Sequence, residues 1–158
     1  MRGWSEIIKN IYINKIFWPF FGILILFFID RLSKILSIKY LSDEGFFLIP
    51  NTTGFVLEWN QGIAYSIPLS GIYLIFILIL IILILGALAV KAYRQHKNNI
   101  VLSIGLIIAG ATSNLIDRFM YDNVIDILVL TKWPVFNIAD LMILAGGIWL
   151  VTIYLKKK

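Results

Sequence analysis

From Ile72 to Val90 the chain runs nineteen residues without a charge, and Gly86 is its only break in a stretch of large apolar residues and alanine. A helix that crosses a bilayer needs about 20 such residues. This run reads as a membrane span. Composition agrees: of 158 residues, 60% are hydrophobic and 15% charged, against about half and a quarter in soluble domains. One small core cannot bury that surplus, and a disordered chain would be poor in apolar residues. The sequence holds no cysteine and a single histidine, His96. That leaves no disulfide framework, no thiolate nucleophile and no basis for a metal cluster. The length suits a single integral membrane domain over 1–158.

Three further apolar segments follow the same logic. Ile100–Ile116 ends in Thr112, Ser113 and Asn114. Leu141–Leu155 lengthens to a full span if it starts near Pro134. Ile16–Ile29 is short, and spans if Lys15 snorkels and the helix runs on past Asp30 to about Ile38. The expectation is an all-α membrane protein with four transmembrane helices, at about 14–38, 70–92, 99–119 and 136–156. Charged Asp30-Arg31 follows the first apolar run in place of a small-residue cleavage pattern, so that run reads as an uncleaved helix.

The basic residues orient this arrangement. Arg2, Lys9, Lys15, Lys91, Arg94, Lys97, Lys156, Lys157 and Lys158 all fall on one side of four spans. The positive-inside rule makes that side, with both termini, cytoplasmic. Positive charge therefore has a membrane explanation, and no nucleic-acid partner is implied. Of nine acids, only Glu6 lies on the inner side. Gathering the other eight at the outer ends of the helices calls for a separate reason.

Residues 40–67 differ from the rest. Phe46–Ile49 and Phe55–Trp59 are rich in β-formers around a turn cluster, Pro50–Gly54. They predict a small extracytoplasmic β-hairpin. Its aromatics Phe46, Phe47, Phe55 and Trp59 suit the headgroup level.

Charges at membrane depth are costly and mark functional candidates. Asp30 and Lys34 lie four apart on one helical face, as an ion pair ending the first span or as a clamp beside a site. Asn60 and Gly62 sit in Asn60–Tyr65, a loop or a substrate turn. Asn114 and Arg118 share a face at the end of the third span, with Asp117 on a neighbouring face, as a polar cap or a site. Asp126 lies among apolar residues. Asn137 and Asp140 share a face at the start of the fourth helix. An acid at the helix centre would cost about 2.5–3.5 kcal/mol, and the helix dipole offsets part of that near the N-terminus.

Asp126 and Asp140 are separated by fourteen positions and a return through Lys132-Trp133-Pro134. If the return brings them together, one carboxyl keeps a proton near neutrality. Such a pair can activate a water and protonate a leaving amine. The competing readings are a proton-relay or transport subunit, and a non-catalytic subunit whose polar residues only join helices. A relay expects acids strung across the bilayer; here they gather at one face.

Five motifs in this order resemble the lipoprotein signal peptidase, or signal peptidase II, family. They are Asp30-Arg31-Leu32-Ser33-Lys34, Asn60–Tyr65, Asn114-Leu115-Ile116-Asp117-Arg118, Val124-Ile125-Asp126 and Phe136-Asn137-Ile138-Ala139-Asp140. The likeness covers nearly the whole chain. Family Gly positions are Ala109, Ser113 and Asp122 here, and Ile127 stands where a Phe usually follows the acid. The resemblance implies an aspartic endopeptidase without cofactor that removes signal peptides from diacylglyceryl-modified bacterial prolipoproteins, cutting before the lipidated cysteine. It implies an extracytoplasmic β-cradle at about 40–67 and Asp126 and Asp140 as the catalytic dyad. Asn60, Gly62, Asn114, Arg118 and Asn137 would position substrate, and Asp30, Lys34 and Asp117 would support fold and site. The implied partners are prolipoprotein signal peptides and membrane lipids, a monomer suffices, and the implied location is the bacterial cytoplasmic membrane with the site near its outer face.

Overall fold

The computed structural model describes residues 2–42, 44–50, 52–61, 71–131 and 133–156. Helix α1 (Arg2–Tyr40) leads to strands β1 (Phe46–Ile49) and β2 (Thr53–Asn60). Helices α2 (Ile72–Arg94) and α3 (Asn98–Tyr121) follow, then strand β3 (Val124–Leu130) and helix α4 (Ile138–Leu155).

Three helices, α2, α3 and α4, are long and apolar enough to cross a membrane. Their surfaces say the same. On α2 only Leu74 and Ala92 are buried within the chain, while Phe76, Leu80, Leu83 and Leu88 face outward. A helix apolar all round and unburied by protein is solvated by lipid. The polar exception is α3, which packs on each of the other helices. Ile23, Leu102 and Met142 join α1, α3 and α4 in one apolar cluster, and Ala92, Ile100 and Ile104 join α2 to α3 in another. The last turns of α3 bury Ser113, Asn114, Asp117 and Arg118 instead. Polar groups are hidden there because other helices bring them partners.

The expected hairpin is one part of a larger sheet. The three strands pair antiparallel in the order β1-β2-β3. β2 lies against β1 from Phe46↔Phe55 to Ile49↔Thr53, and against β3 from Thr53↔Leu130 to Asn60↔Val124. The sheet is therefore built from two distant parts of the chain. Val124–Leu130 was expected only as an apolar stretch leading into a return loop; it is a strand. Val124, Ile125, Asp126 and Ile127 are all buried, so the alternation that betrays a half-exposed strand is missing. The fold is thus mostly helical with a small sheet, rather than all-α. Residues 62–67 of the expected cradle, Gly62 included, lie outside the described residues.

Asp122 caps α3 in the left-handed region, φ 58°. Aspartate tolerates that conformation better than most side chains. The chain can therefore turn sharply from α3 into β3 without a glycine.

Candidate active site

The site is built around the first residue of the α4 cap. Asn137 is extended (φ −129°, ψ 176°), which puts its side chain over the helix start. Its Oδ1 accepts from the Asp140 backbone N–H at 2.8 Å, and its own N–H donates to Asp140 Oδ2 at 3.3 Å. This reciprocal capping box satisfies amides that a helix start leaves open. The other end of the Asn137 amide points to the sheet. Its Nδ2 donates to Asp126 Oδ1 at 2.6 Å and to the Ile125 carbonyl at 3.3 Å. One fully buried residue therefore reaches both carboxylates, Asp126 through its side chain and Asp140 through its backbone N–H.

Each carboxylate has a second amide. Asn60 Nδ2, at the end of β2, donates to Asp126 Oδ2 at 2.9 Å. Asn114 Nδ2, on α3, donates to Asp140 Oδ1 at 2.8 Å. Asp126 itself is 1% exposed. Burial pushes its carboxyl up to about 6, the nearby Asp140 charge pushes the same way, and the Asn60 and Asn137 hydrogen bonds pull against them. Arg118 is buried one turn beyond Asn114, donates to the Asn114 carbonyl at 3.4 Å, and lies within electrostatic reach of Asp126, Asp140 and Asp117.

Below this layer lies a charge cluster contributed mainly by α1. Lys34 Nζ meets Asp117 Oδ2 at 2.7 Å, Asn114 Oδ1 at 2.9 Å and Asp30 Oδ2 at 3.0 Å. An ammonium has three N–H donors, so all are used. Asp30 Oδ2 also accepts from Ser113 Oγ at 2.5 Å, and its Oδ1 accepts the Ala139 N–H at 2.8 Å. Asp30 thus caps α4 from another helix. Asp117 takes the Ile125 N–H on its Oδ2 at 3.4 Å, tying α3 to the residue beside Asp126. Asp30, Lys34 and Asp117 are fully buried. Asp30 and Lys34 do form an ion pair, and it is buried and shared with Asp117.

The structure brings together nine of the ten residues singled out in the sequence: Asp30, Lys34, Asn60, Asn114, Asp117, Arg118, Asp126, Asn137 and Asp140. The tenth, Gly62, lies outside the described residues. Sequence reasoning passed over Arg31 and Ser113. Arg31 Nη1 pairs with Asp117 Oδ1 and donates to Ser113 O at 3.1 Å. The visible signal was a charged residue beside Asp30, whose partner sits on a helix far along the chain. Among the described residues no group of three or more His, Asp or Glu side chains has metal-binding geometry.

Comparison with known proteins agrees with this architecture. Residues 22–156 match the family model described as signal peptidase (SPase) II. The lipoprotein signal peptidase of Syntrophomonas wolfei is 37% identical over 88% of this chain and 92% of its own length. That of Thermodesulfovibrio yellowstonii is 33% identical over 90% and 98%. A bacterial membrane enzyme solved by the in meso method at 2.3 Å superposes with a TM-score of 0.75, at 23% identity and 87% coverage of each chain. A second, solved at 1.9 Å, gives 0.72 at 24% identity, covering 89% of this chain and 94% of its own. The chain belongs to the signal peptidase II family.

Proposed function

We propose that this protein is an intramembrane aspartyl endopeptidase that removes signal peptides from diacylglyceryl-modified prolipoproteins, cutting before the lipidated cysteine. Asp126 and Asp140 act as the catalytic dyad. The observation that carries this reading is Asn137, whose side-chain Nδ2 donates to the Asp126 carboxylate while its backbone N–H donates to the Asp140 carboxylate. It supports two acids sharing one polar centre, with one of them raised to about 6.

Two coupled carboxyls hold one proton between them over a range of pH. The ionised member accepts a proton from water as the water oxygen bonds to the scissile carbonyl carbon. The protonated member donates to the carbonyl oxygen as its charge develops. Collapse of the tetrahedral species breaks the C–N bond, and a carboxyl proton passes to the leaving amine. Asn60, Asn114 and Asn137 hold the acids, and Arg118 and Gly62 complete the substrate site.

The wider arrangement follows. Helix α1 is the fourth span, supported by the outward Phe17, Phe20, Leu24, Phe28 and Ile29. The chain is one membrane domain with both termini cytoplasmic, working as a monomer in the bacterial cytoplasmic membrane. The sheet and the two acids lie near the outer face, where a lipid-anchored substrate presents its scissile bond, and lipid reaches the site between the helices.

The test is cleavage of a synthetic diacylglyceryl prolipopeptide by purified protein. Asp126→Asn and Asp140→Asn should each abolish cleavage while the protein still inserts and unfolds cooperatively. Normal cleavage by either variant would sink the dyad.

A further inference from the structure

Helices α2 and α4 each pack along α3 but make little contact with one another. At the end of the bundle away from the acids, the gap between them is a cavity of about 350 Å³. Leu85 and Leu88 of α2, Ile100 and Ile104 of α3 and Leu150 of α4 form its apolar walls. Lys91, Gln95, Lys97 and Tyr154, all exposed, line its polar end. Ile100 and Asn114 are fourteen residues apart on α3, about 21 Å along a helix. The cavity is therefore separate from the site around Asp126 and Asp140.

Depth and charge define what this cavity takes. Lys91 is the first charge after the apolar run Ile72–Val90, so the polar end lies where hydrocarbon gives way to headgroups. The surfaces flanking the cavity, Leu83 and Leu88 on α2 and Ile148 and Val151 on α4, point away from protein and into lipid. The cations at its polar end have no acid to pair with in the elements that form it. From Ile72 to Ile116, and again from Leu141 to Lys158, the sequence contains no Asp or Glu. Lys97 Nζ spends one of its three donors on Gln95 Oε1, a neutral acceptor that leaves its charge uncompensated. Apolar walls below and uncompensated cations at headgroup level complement a molecule with an acyl chain and an anionic head.

We infer that the gap between α2 and α4 is a binding site for one anionic phospholipid. An acyl chain lies against Leu85, Leu88, Ile104 and Leu150, and the headgroup phosphate meets Lys91 and Lys97. The lipid thereby ties together two helices that otherwise meet mainly through α3. This site rests on the membrane spans and is independent of the peptidase reading. The experiment titrates full-length protein in nonionic detergent with phosphatidylglycerol, with phosphatidylcholine of the same chains, or with inorganic phosphate. Native mass spectrometry reads the fraction of protein retaining one lipid, and the unfolding temperature is followed in parallel. Wild type should prefer phosphatidylglycerol over phosphatidylcholine about thirtyfold, from about fivefold for each lysine. It should unfold at a higher temperature with phosphatidylglycerol, and inorganic phosphate should not reproduce this. The double variant Lys91→Gln/Lys97→Gln should bring the preference near one. Arg94→Gln/Lys156→Gln removes the same charge at the same end of the bundle but outside the cavity lining, and should keep the preference. Equal retention of the two lipids by wild type overturns the inference. So does an equal loss in both double variants, which means diffuse attraction, or equal stabilisation by inorganic phosphate, which means a site for a free anion.

Discussion

Lys34 Nζ donates to Asn114 Oδ1 at 2.9 Å, and this bond decides which end of the Asn114 amide meets Asp140. Lysine has donors only, so the amide oxygen must face it and the NH2 group must face the carboxylate. The same ammonium neutralises Asp30 and Asp117. Lys34→Met should leave two buried acids short of a partner. Removing one member of a buried ionic group typically costs about 3–5 kcal/mol. The variant should show a large drop in unfolding temperature in detergent and a loss of cleavage. A variant as stable as wild type would mean that Arg31 alone neutralises the cluster.

Asn137 has two separable jobs. As an N-cap it accepts the Asp140 N–H, and as a donor it holds Asp126. Asn137→Ser keeps a good cap but lacks the second arm, whereas Asn137→Ala lacks both. Losing an N-cap costs about 0.5–2 kcal/mol. The expected result is a stability order of wild type, Ser, then Ala, with cleavage strongly reduced in both variants. Full cleavage by the Ser variant would show that the bond to Asp126 is dispensable.

The pH profile follows from Asp126, raised to about 6 chiefly by burial. The proposed dyad works with one shared proton, so kcat/KM should fall on the alkaline side as the carboxyl deprotonates, from about pH 6 upward. The Asn60 hydrogen bond favours the charged form and lowers this pKa. Asn60→Ala removes that help, so the carboxyl should hold its proton to higher pH. The alkaline limb should move upward, even if the rate at the optimum falls. A limb that stays in place, or moves down, would remove Asp126 from control of the profile.

The polar residues were legible because their surroundings made them expensive. Asp30, Lys34, Asn114, Asp117 and Asp140 interrupt or border apolar helices, and a charge in that setting demands a partner. The identity of the partners was not legible. Arg31 is adjacent to Asp30 but pairs with Asp117, and that pairing exists only once α1 lies against α3. Ser113 gave no local hint that it would bond Asp30. Strand β3 was hidden for a different reason. It is covered on both faces, so Ile125 and Asp126 are equally buried and no period of two appears. The β2–β3 ladder joins segments more than sixty residues apart, from Asn60 to Val124, and propensity carries no information about which distant strand will pair.

Gly146 tests how far the site depends on the seating of α4. A Cβ added there would lie 2.7 Å from the Ser103 carbonyl oxygen and 2.7 Å from Ile107 Cγ1, both on α3. The isoleucine can turn aside; the carbonyl belongs to the helix backbone and cannot. Gly146→Ala should therefore push α4 away from α3. Overpacking of this kind costs about 1–3 kcal/mol. Asp140 rides on α4 while Asn114 stays on α3, so the same shift loosens their 2.8 Å bond. The nearby Gly147 has nothing within 4 Å of the corresponding position. Gly147→Ala is the matched control, with the same helix-propensity gain of about 1 kcal/mol and no clash. The expected outcome is a lower unfolding temperature and slower cleavage for Gly146→Ala, against equal or higher stability and unchanged cleavage for Gly147→Ala. If the two variants behave alike, close contact between α3 and α4 does not set the position of Asp140.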